Sequence, residues 1–310
     1  MDHDQSAPNA EPKQATRRRM LLASAGILAA GAATGCGLTS SDDSSADTGD
    51  NGGGSSSSVL DRIKKDKKIR FGVDLSFQPL QYRDPRTKEP TGYSIEVSKL
   101  LAAAMGAEPE WVEVPFQELI AAQSAGRFDM TGIPVVNTAE RALQVGFASA
   151  PAFLEGTYLF KGRGVDVGSI EELNDPSVTI ALLAGSAQVG TAKLLFPRAK
   201  RKELPDDVAA TSDVTTGRSD ALFIGDYAVG DARRRGLELI QARPVATAWN
   251  TYFLPQGDFA LAQFVTTFLQ QKASDLTLAG LWQQFVASEI ERYGVQSAPV
   301  KDPYLAAAYA

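Results

Sequence analysis

The chain has 310 residues, 44% of them hydrophobic, with 31 Lys and Arg against 37 Asp and Glu for a formal charge of −6. A net acidic chain lacks the basic surface that phosphate neutralisation needs, so no nucleic-acid partner is expected. The single His (His3) and single Cys (Cys36) leave residues 37–310 without imidazole or thiol, which excludes an intrachain disulfide, a His–Cys metal site, and Ser-His-Asp or Cys-His catalysis there.

The first predicted element is "TRRRMLLASAGILAAGAATGC", Thr16 to Cys36. Arg17, Arg18 and Arg19 precede a nearly uncharged run from Met20 to Thr34. A spanning helix needs about 20 apolar residues. This run is shorter, and charged residues before it with small residues after it predict a secretory signal over residues 1–35. "TRRRMLL" resembles the twin-arginine export motif. "ATGC" resembles a bacterial lipobox, with Ala33 where Leu is usual, which implies that Cys36 is lipidated and becomes the new N-terminus. Acyl chains contribute about 0.8 kcal/mol per buried CH₂, so several on one Cys would anchor the chain to the outer face of the cell membrane. Residues 36–58, with "SSDDSSADTGDNGGGSSSS", have almost no apolar side chains and read as a flexible tether.

From Val59 onward about 250 residues suffice for one large or two small cores. Apolar strands alternate with helical patterns, which predicts α/β construction. "IRFGVDL" and "EWVEV" read as strands around the helix "SIEVSKLLAAAMG". "FQELIAAQSAG" is a helix closed by Gly, "FDMTGIPV" a strand, and "TAERALQVGF" a helix entered at Thr138. The layout then restarts: "SIEELND" has capping-box spacing, "VTIALL" is a buried strand, and "GSAQVGTAKLLF" opens a helix after it. "DALFIG", "DYAVGDARRRG" and "WNTYFLPQ" follow as strand, helix and strand, before two amphipathic helices, "DFALAQFVTTFLQQ" and "LTLAGLWQQFVASEIERY". The basic clusters Arg62–Arg70, Arg198–Lys202 and Arg233–Arg235 read as solvated faces. Two lobes are expected, residues 59–161 with 247–310 and residues 162–246, with the chain crossing between them and returning.

"GVDLSFQPLQY", "TGYSIEVSKLLA", "FQELIAAQSAGRFDM" and "TAERALQVGFASAP" stand in the order and spacing of family 3 solute-binding proteins, the polar amino-acid receptors of bacterial ABC importers. The chain resembles this family over roughly residues 60–287. The resemblance implies two α/β lobes joined by two hinge strands, closing on a ligand. It also implies a monomer that works with an ABC permease, carries a small amino acid or other carboxylate, and holds neither cofactor nor metal.

The resemblance further implies site residues, each with a plainer alternative. Asp74 would meet a polar or cationic ligand group, or else cap the next turn. Phe77 and Phe116 would sandwich the ligand's aliphatic part, or else pack in the core. Arg141 would take the ligand carboxylate in its planar fork, or else form a surface ion pair. Ser186 and Ala187 would present N–H groups at a helix start, which also suits simple capping. Asp226 would bind an α-ammonium, although the family's position for that Asp falls on Gly225. Pro134, Val136 and Leu183 stand where the family carries Gly, Thr and Lys. These departures open the ligand to carboxylates or zwitterions other than standard amino acids. Two other functions share the fold. One is a cyclohexadienyl-dehydratase-like enzyme, against which stands Gln188 at the place matching the general acid. The other is a sensing receptor that transports nothing.

Overall fold

The structure is a computed structural model that describes residues 58–295. The predicted signal, Cys36 and the tether as far as residue 57 lie outside the described residues.

The described chain opens with α1 (Val59–Asp66) and β1 (Lys68–Val73), then a small antiparallel sheet of β2 (Ser76–Phe77), β3 (Gln81–Arg83) and β4 (Pro90–Thr91). α2 (Tyr93–Ala104), β5 (Glu108–Glu113), a 3-10 turn at Phe116–Glu118, α3 (Leu119–Ser124) and β6 (Met130–Thr131) follow. β7 (Val135–Val136), α4 (Ala139–Ala142) and β8 (Gly146–Phe147) complete the first passage. β5 and β6 flank β1 in parallel, giving the order β5-β1-β6.

β9 (Phe153–Lys161) carries the chain into the second lobe. There β10 (Thr179–Leu183), α5 (Ala187–Leu195), β11 (Lys200–Leu204), α6 (Asp207–Thr215) and β12 (Ala221–Gly225) repeat the layout in the parallel order β11-β10-β12. After α7 (Val229–Arg234) and β13 (Glu238–Leu239), β14 (Ala246–Thr251) returns antiparallel to β9, pairing Ala248 with Glu155 and Asn250 with Phe153. β15 (Phe253–Leu254) pairs with β8 of the first lobe; α8 (Phe259–Ser274) and α9 (Thr277–Trp282) pack against α2, and α10 (Ser288–Glu291) against α7. β9 and β14 are thus a two-strand hinge. Their register makes Glu155 and Asn250 neighbours at the floor between the lobes.

The two-residue period of a strand sorts the second lobe's core. Ile180 and Leu182 of β10, with Ala221 and Phe223 of β12, pack on one face against Leu173 and Phe196. Ala181, Leu183, Leu222 and Ile224 point to the opposite face and join the larger core, which is continuous with the first lobe. No helix among the described residues is long and apolar enough to cross a membrane.

Several local expectations are corrected. The predicted Ser169 capping box does not form, because the Glu172 carboxylate accepts from Gly168 N–H instead, at 2.8 Å. The last predicted helix is divided by a π-helical turn at Gln283–Ala287. The basic clusters are only partly solvated faces. Arg62 and Arg70 converge on Asp129, which is 2% exposed, at 2.6 and 2.7 Å. Lys202, in the second cluster, lies in β11 and binds Asp213 at 2.8 Å, and Arg234, in the third, binds Glu289 at 2.7 Å.

Gly72 illustrates the tightness of the first lobe. A Cβ there would lie 2.4 Å from the ring of Phe128, which is fully enclosed. Gly72→Ala is therefore expected to cost about 1–3 kcal/mol in urea denaturation. Gly190, inside α5 with nothing within 4 Å of its would-be Cβ, is the control. Gly190→Ala is expected to add about 0.5–1 kcal/mol.

Candidate functional site

Arg141 is brought to the cleft by α4, whose N-terminus is fixed by Thr138: the Thr138 hydroxyl accepts from Arg141 N–H at 3.2 Å. Its guanidinium donates through Nη1 to the Val136 carbonyl at 2.7 Å and through Nη2 to the Gly185 carbonyl of the second lobe at 2.8 Å. The guanidinium carbon stands 5.7 Å from the centre of the Phe116 ring. Burial lowers its pKa from the ordinary value, against the pull of Glu155 and Glu140. Among the described residues no carboxylate lies within ion-pair distance of Arg141. A cation in this position is matched to neutral acceptors, which bind it less strongly than a carboxylate would.

Phe77 and Phe116 also face this cleft, but they do not stand apart as two walls. Their centroids are 5.5 Å apart, which is direct ring contact, and Phe77 meets Tyr227 of the second lobe at 6.4 Å. Together with Arg141, Ser186, Ala187 and Gln188 these residues line a cavity of about 30 Å³. That volume holds about one water. Ser186 is the N-cap residue of α5, and its hydroxyl donates back to the Leu183 carbonyl at 2.7 Å. In the first helical turn the Val189 N–H donates to the Ser186 carbonyl at 3.2 Å, while the N–H groups of Ala187 and Gln188 have no acceptors inside the helix and remain as donors at the cleft.

Asp74 and Asp226 do not join this group. Asp74 accepts from Ser76 N–H and hydroxyl through Oδ1, at 3.0 and 2.7 Å, and from Phe116 N–H through Oδ2 at 2.8 Å. It caps a turn and pins the Phe116 backbone. Asp226 is fully buried and takes the Gly156 N–H of the hinge on Oδ2 at 3.2 Å. Gly225 cannot carry a side chain, since a Cβ would lie 2.3 Å from the Tyr227 ring and 3.0 Å from Glu155 Oε1. The aromatic residue two places on thus displaces the carboxylate expected there.

The acid that does reach the cleft is Glu155, on the hinge strand β9, 5% exposed. Gln188 Nε2 donates to its Oε1 at 2.6 Å and Asn250 Nδ2 to its Oε2 at 3.2 Å. Burial first, and then the neighbouring Asp226, push its carboxyl up to about 8. Glu155 also borders a pocket of about 350 Å³ lined by Thr157, Thr191 and Thr247. Glu155, Asn250 and Tyr227 are cleft residues that sequence reasoning missed. A single charge inside the apolar run "AFLEGTYLF" was the available signal for the first of them.

Residues 69–288, more than half of the chain, match the bacterial extracellular solute-binding proteins, family 3. The chain belongs to this family. It is 24% identical over 228 residues to a probable amino-acid ABC transporter-binding protein of Haemophilus influenzae, covering 71% of this chain and 85% of that protein. It is 25% identical over 221 residues to the cyclohexadienyl dehydratase of Pseudomonas aeruginosa, covering 68% of this chain and 80% of that enzyme. Among solved structures, an ancestral amino-acid-binding protein described as a precursor of cyclohexadienyl dehydratase superposes with a TM-score of 0.68 at 26% identity, over 74% of this chain and all of that one. The fold is that of the type II periplasmic binding proteins.

The titration of Glu155 gives a sharp expectation. In the unfolded chain an ordinary Glu ionises near 4.3, whereas the folded carboxyl keeps its proton to about 8. Between those values the folded state binds more protons, so this group makes stability fall as pH rises. Glu155→Gln removes that slope. In thermal melts the variant should gain on the parent as pH goes from about 5 to about 8 and gain nothing further above it. Parallel curves would mean an ordinary, ionised Glu155.

Proposed function

We propose that the chain is an extracytoplasmic receptor of an ABC importer, anchored through a lipid on Cys36, which carries a small carboxylate-bearing solute between its lobes. The observation that supports this most is Arg141, a guanidinium in the cleft whose fork rests on the Val136 and Gly185 carbonyls and on no carboxylate among the described residues. A solute carboxylate would replace the carbonyls with charge-assisted, bidentate bonds, aided by the first-turn N–H groups of α5. An α-ammonium on that solute would face Glu155 rather than Asp226, and its binding would drive the proton from Glu155. The Haemophilus influenzae relative's name and the match of the family support transport as the use of the binding.

The test is a thermal-shift screen with amino acids, betaines, simple carboxylates and cyclic acids, since a ligand that binds only the folded chain raises Tm. Arg141→Ala is expected to weaken the best ligand by about 2–5 kcal/mol, roughly 30-fold or more. Near-parental affinity in that variant would reject the site. Glu155→Gln should weaken ammonium-bearing ligands and spare plain carboxylates, while Asp226→Asn should not discriminate between them.

A dehydratase is the second reading, and Glu155 is the observation that favours it. A carboxyl that holds its proton to about 8, lining the same cavity as an anchoring arginine, is poised to protonate a leaving hydroxyl. Gln188, which stands where a general acid was sought in the sequence, is its hydrogen-bond partner. Ultraviolet detection of an aromatic product from a cyclohexadienyl acid, abolished in Glu155→Gln, would establish the enzyme. Binding of that acid without turnover would return the chain to the receptors.

A further inference from the structure

A second chamber, of about 600 Å³, shares only Phe77 and Tyr227 with the Arg141 cavity. It opens between the β2 hairpin, α6 and α7, with the π-helical turn Gln283–Ala287 closing one side. Its volume is that of a small-molecule site, in the range of about 300–1,000 Å³.

The charges on its walls do not cancel. Arg234 donates to Glu289 at 2.7 Å and Arg235 to Asp231 at 2.7 Å, so these four neutralise one another. Asp207 is left over. Its Oδ2 accepts from the Tyr227 hydroxyl at 2.9 Å, and no basic side chain among the described residues lies within ion-pair distance of it. Burial pushes its carboxyl up to about 7, even though it lies at the N-terminus of α6, where a helix favours negative charge. This is a carboxylate that desolvation penalises and that lacks a counter-ion.

Around it stand aromatic rings. Phe77 and Tyr227 meet at an interplanar angle of 59°, and Phe285 is carried into the wall by the π-helical turn, a departure from the α-helix that is frequent at functional sites. Ring faces carry negative charge density and attract organic cations. An anion in the chamber would oppose Asp207, and a neutral solute would bury it further without compensation.

We propose that this chamber is a binding site for an alkylammonium group, with the Asp207 carboxylate as counter-ion and Phe77, Tyr227 and Phe285 as apolar walls. The site is distinct from the Arg141 fork, although Phe77 and Tyr227 border both cavities. A solute with a carboxylate and a remote ammonium group would engage both.

The test compares choline with 3,3-dimethylbutan-1-ol, its uncharged carbon isostere, in ligand-observed NMR titrations of the full-length chain at a pH of about 8, above the Asp207 transition. Choline is expected to bind about tenfold more tightly than the alcohol. Asp207→Asn should erase that preference, and Arg141→Ala should retain it. Val208→Lys changes an exposed residue on the chamber wall and tests the same point without touching the half-buried acid. It should weaken choline several-fold and leave the alcohol unchanged. Equal affinity for the two compounds in the parent chain would overturn the proposal. So would a choline preference that survives both Asp207→Asn and Val208→Lys, or one that disappears in a folded Arg141→Ala, which would put the cation in the central cavity.

Discussion

The Arg141 guanidinium donates to a carbonyl on each side of the cleft, and the arrangement of the site depends on that bridge. Val136 belongs to the passage that leads out of the first lobe, and Gly185 to the turn that starts α5 in the second. With the fork in place, Phe77 reaches Tyr227 and the remaining space shrinks to the size of one water. Position 136 contributes through its backbone, whose carbonyl accepts from Arg141 Nη1 at 2.7 Å.

Beneath the bridge lies an electrostatic compromise. Glu155 projects from a strand that must be apolar to cross between two cores, and its partners Gln188 and Asn250 are neutral amides. Neutral donors satisfy the oxygens without cancelling a charge, so burial prevails and the proton stays. Receptors and dehydratases share this fold, and the chemistry a member performs is decided by sites placed on it. Glu155 bears on both possibilities, since its ionised form would receive a cation and its protonated form would deliver a proton.

Most elements were legible from their periods: β10 alternates between two cores, and α2 and α8 bury the residues their apolar spacing selects. The family resemblance added a list of site residues, of which Phe77, Phe116, Arg141, Ser186 and Ala187 line one cavity. Asp74 and Asp226 illustrate what a linear reading cannot supply. Each carboxylate is consumed by a backbone N–H far along the chain, Phe116 for one and Gly156 for the other. Glu155 escaped because its neighbours in space, residues 188 and 250, are set by strand register and not by motif. Asp207 escaped because "PDDV" reads as an ordinary helix cap, a role that Asp206 in fact fills by accepting from Ala209 N–H. Arg62 and Arg70 looked like parts of a solvated run until the fold laid both over Asp129.

The bridge and the small central cavity also bear on the kinetics of capture. A solute larger than a water can enter only after the Gly185 bond and the Phe77–Tyr227 contact have parted, so opening must precede the first encounter. At low concentration the rate of uptake into the site then follows the collision frequency. At high concentration it levels off at the opening rate of the lobes, whatever the solute. Discrimination between solutes resides in how long each holds the lobes closed, because the step that admits them is common to all.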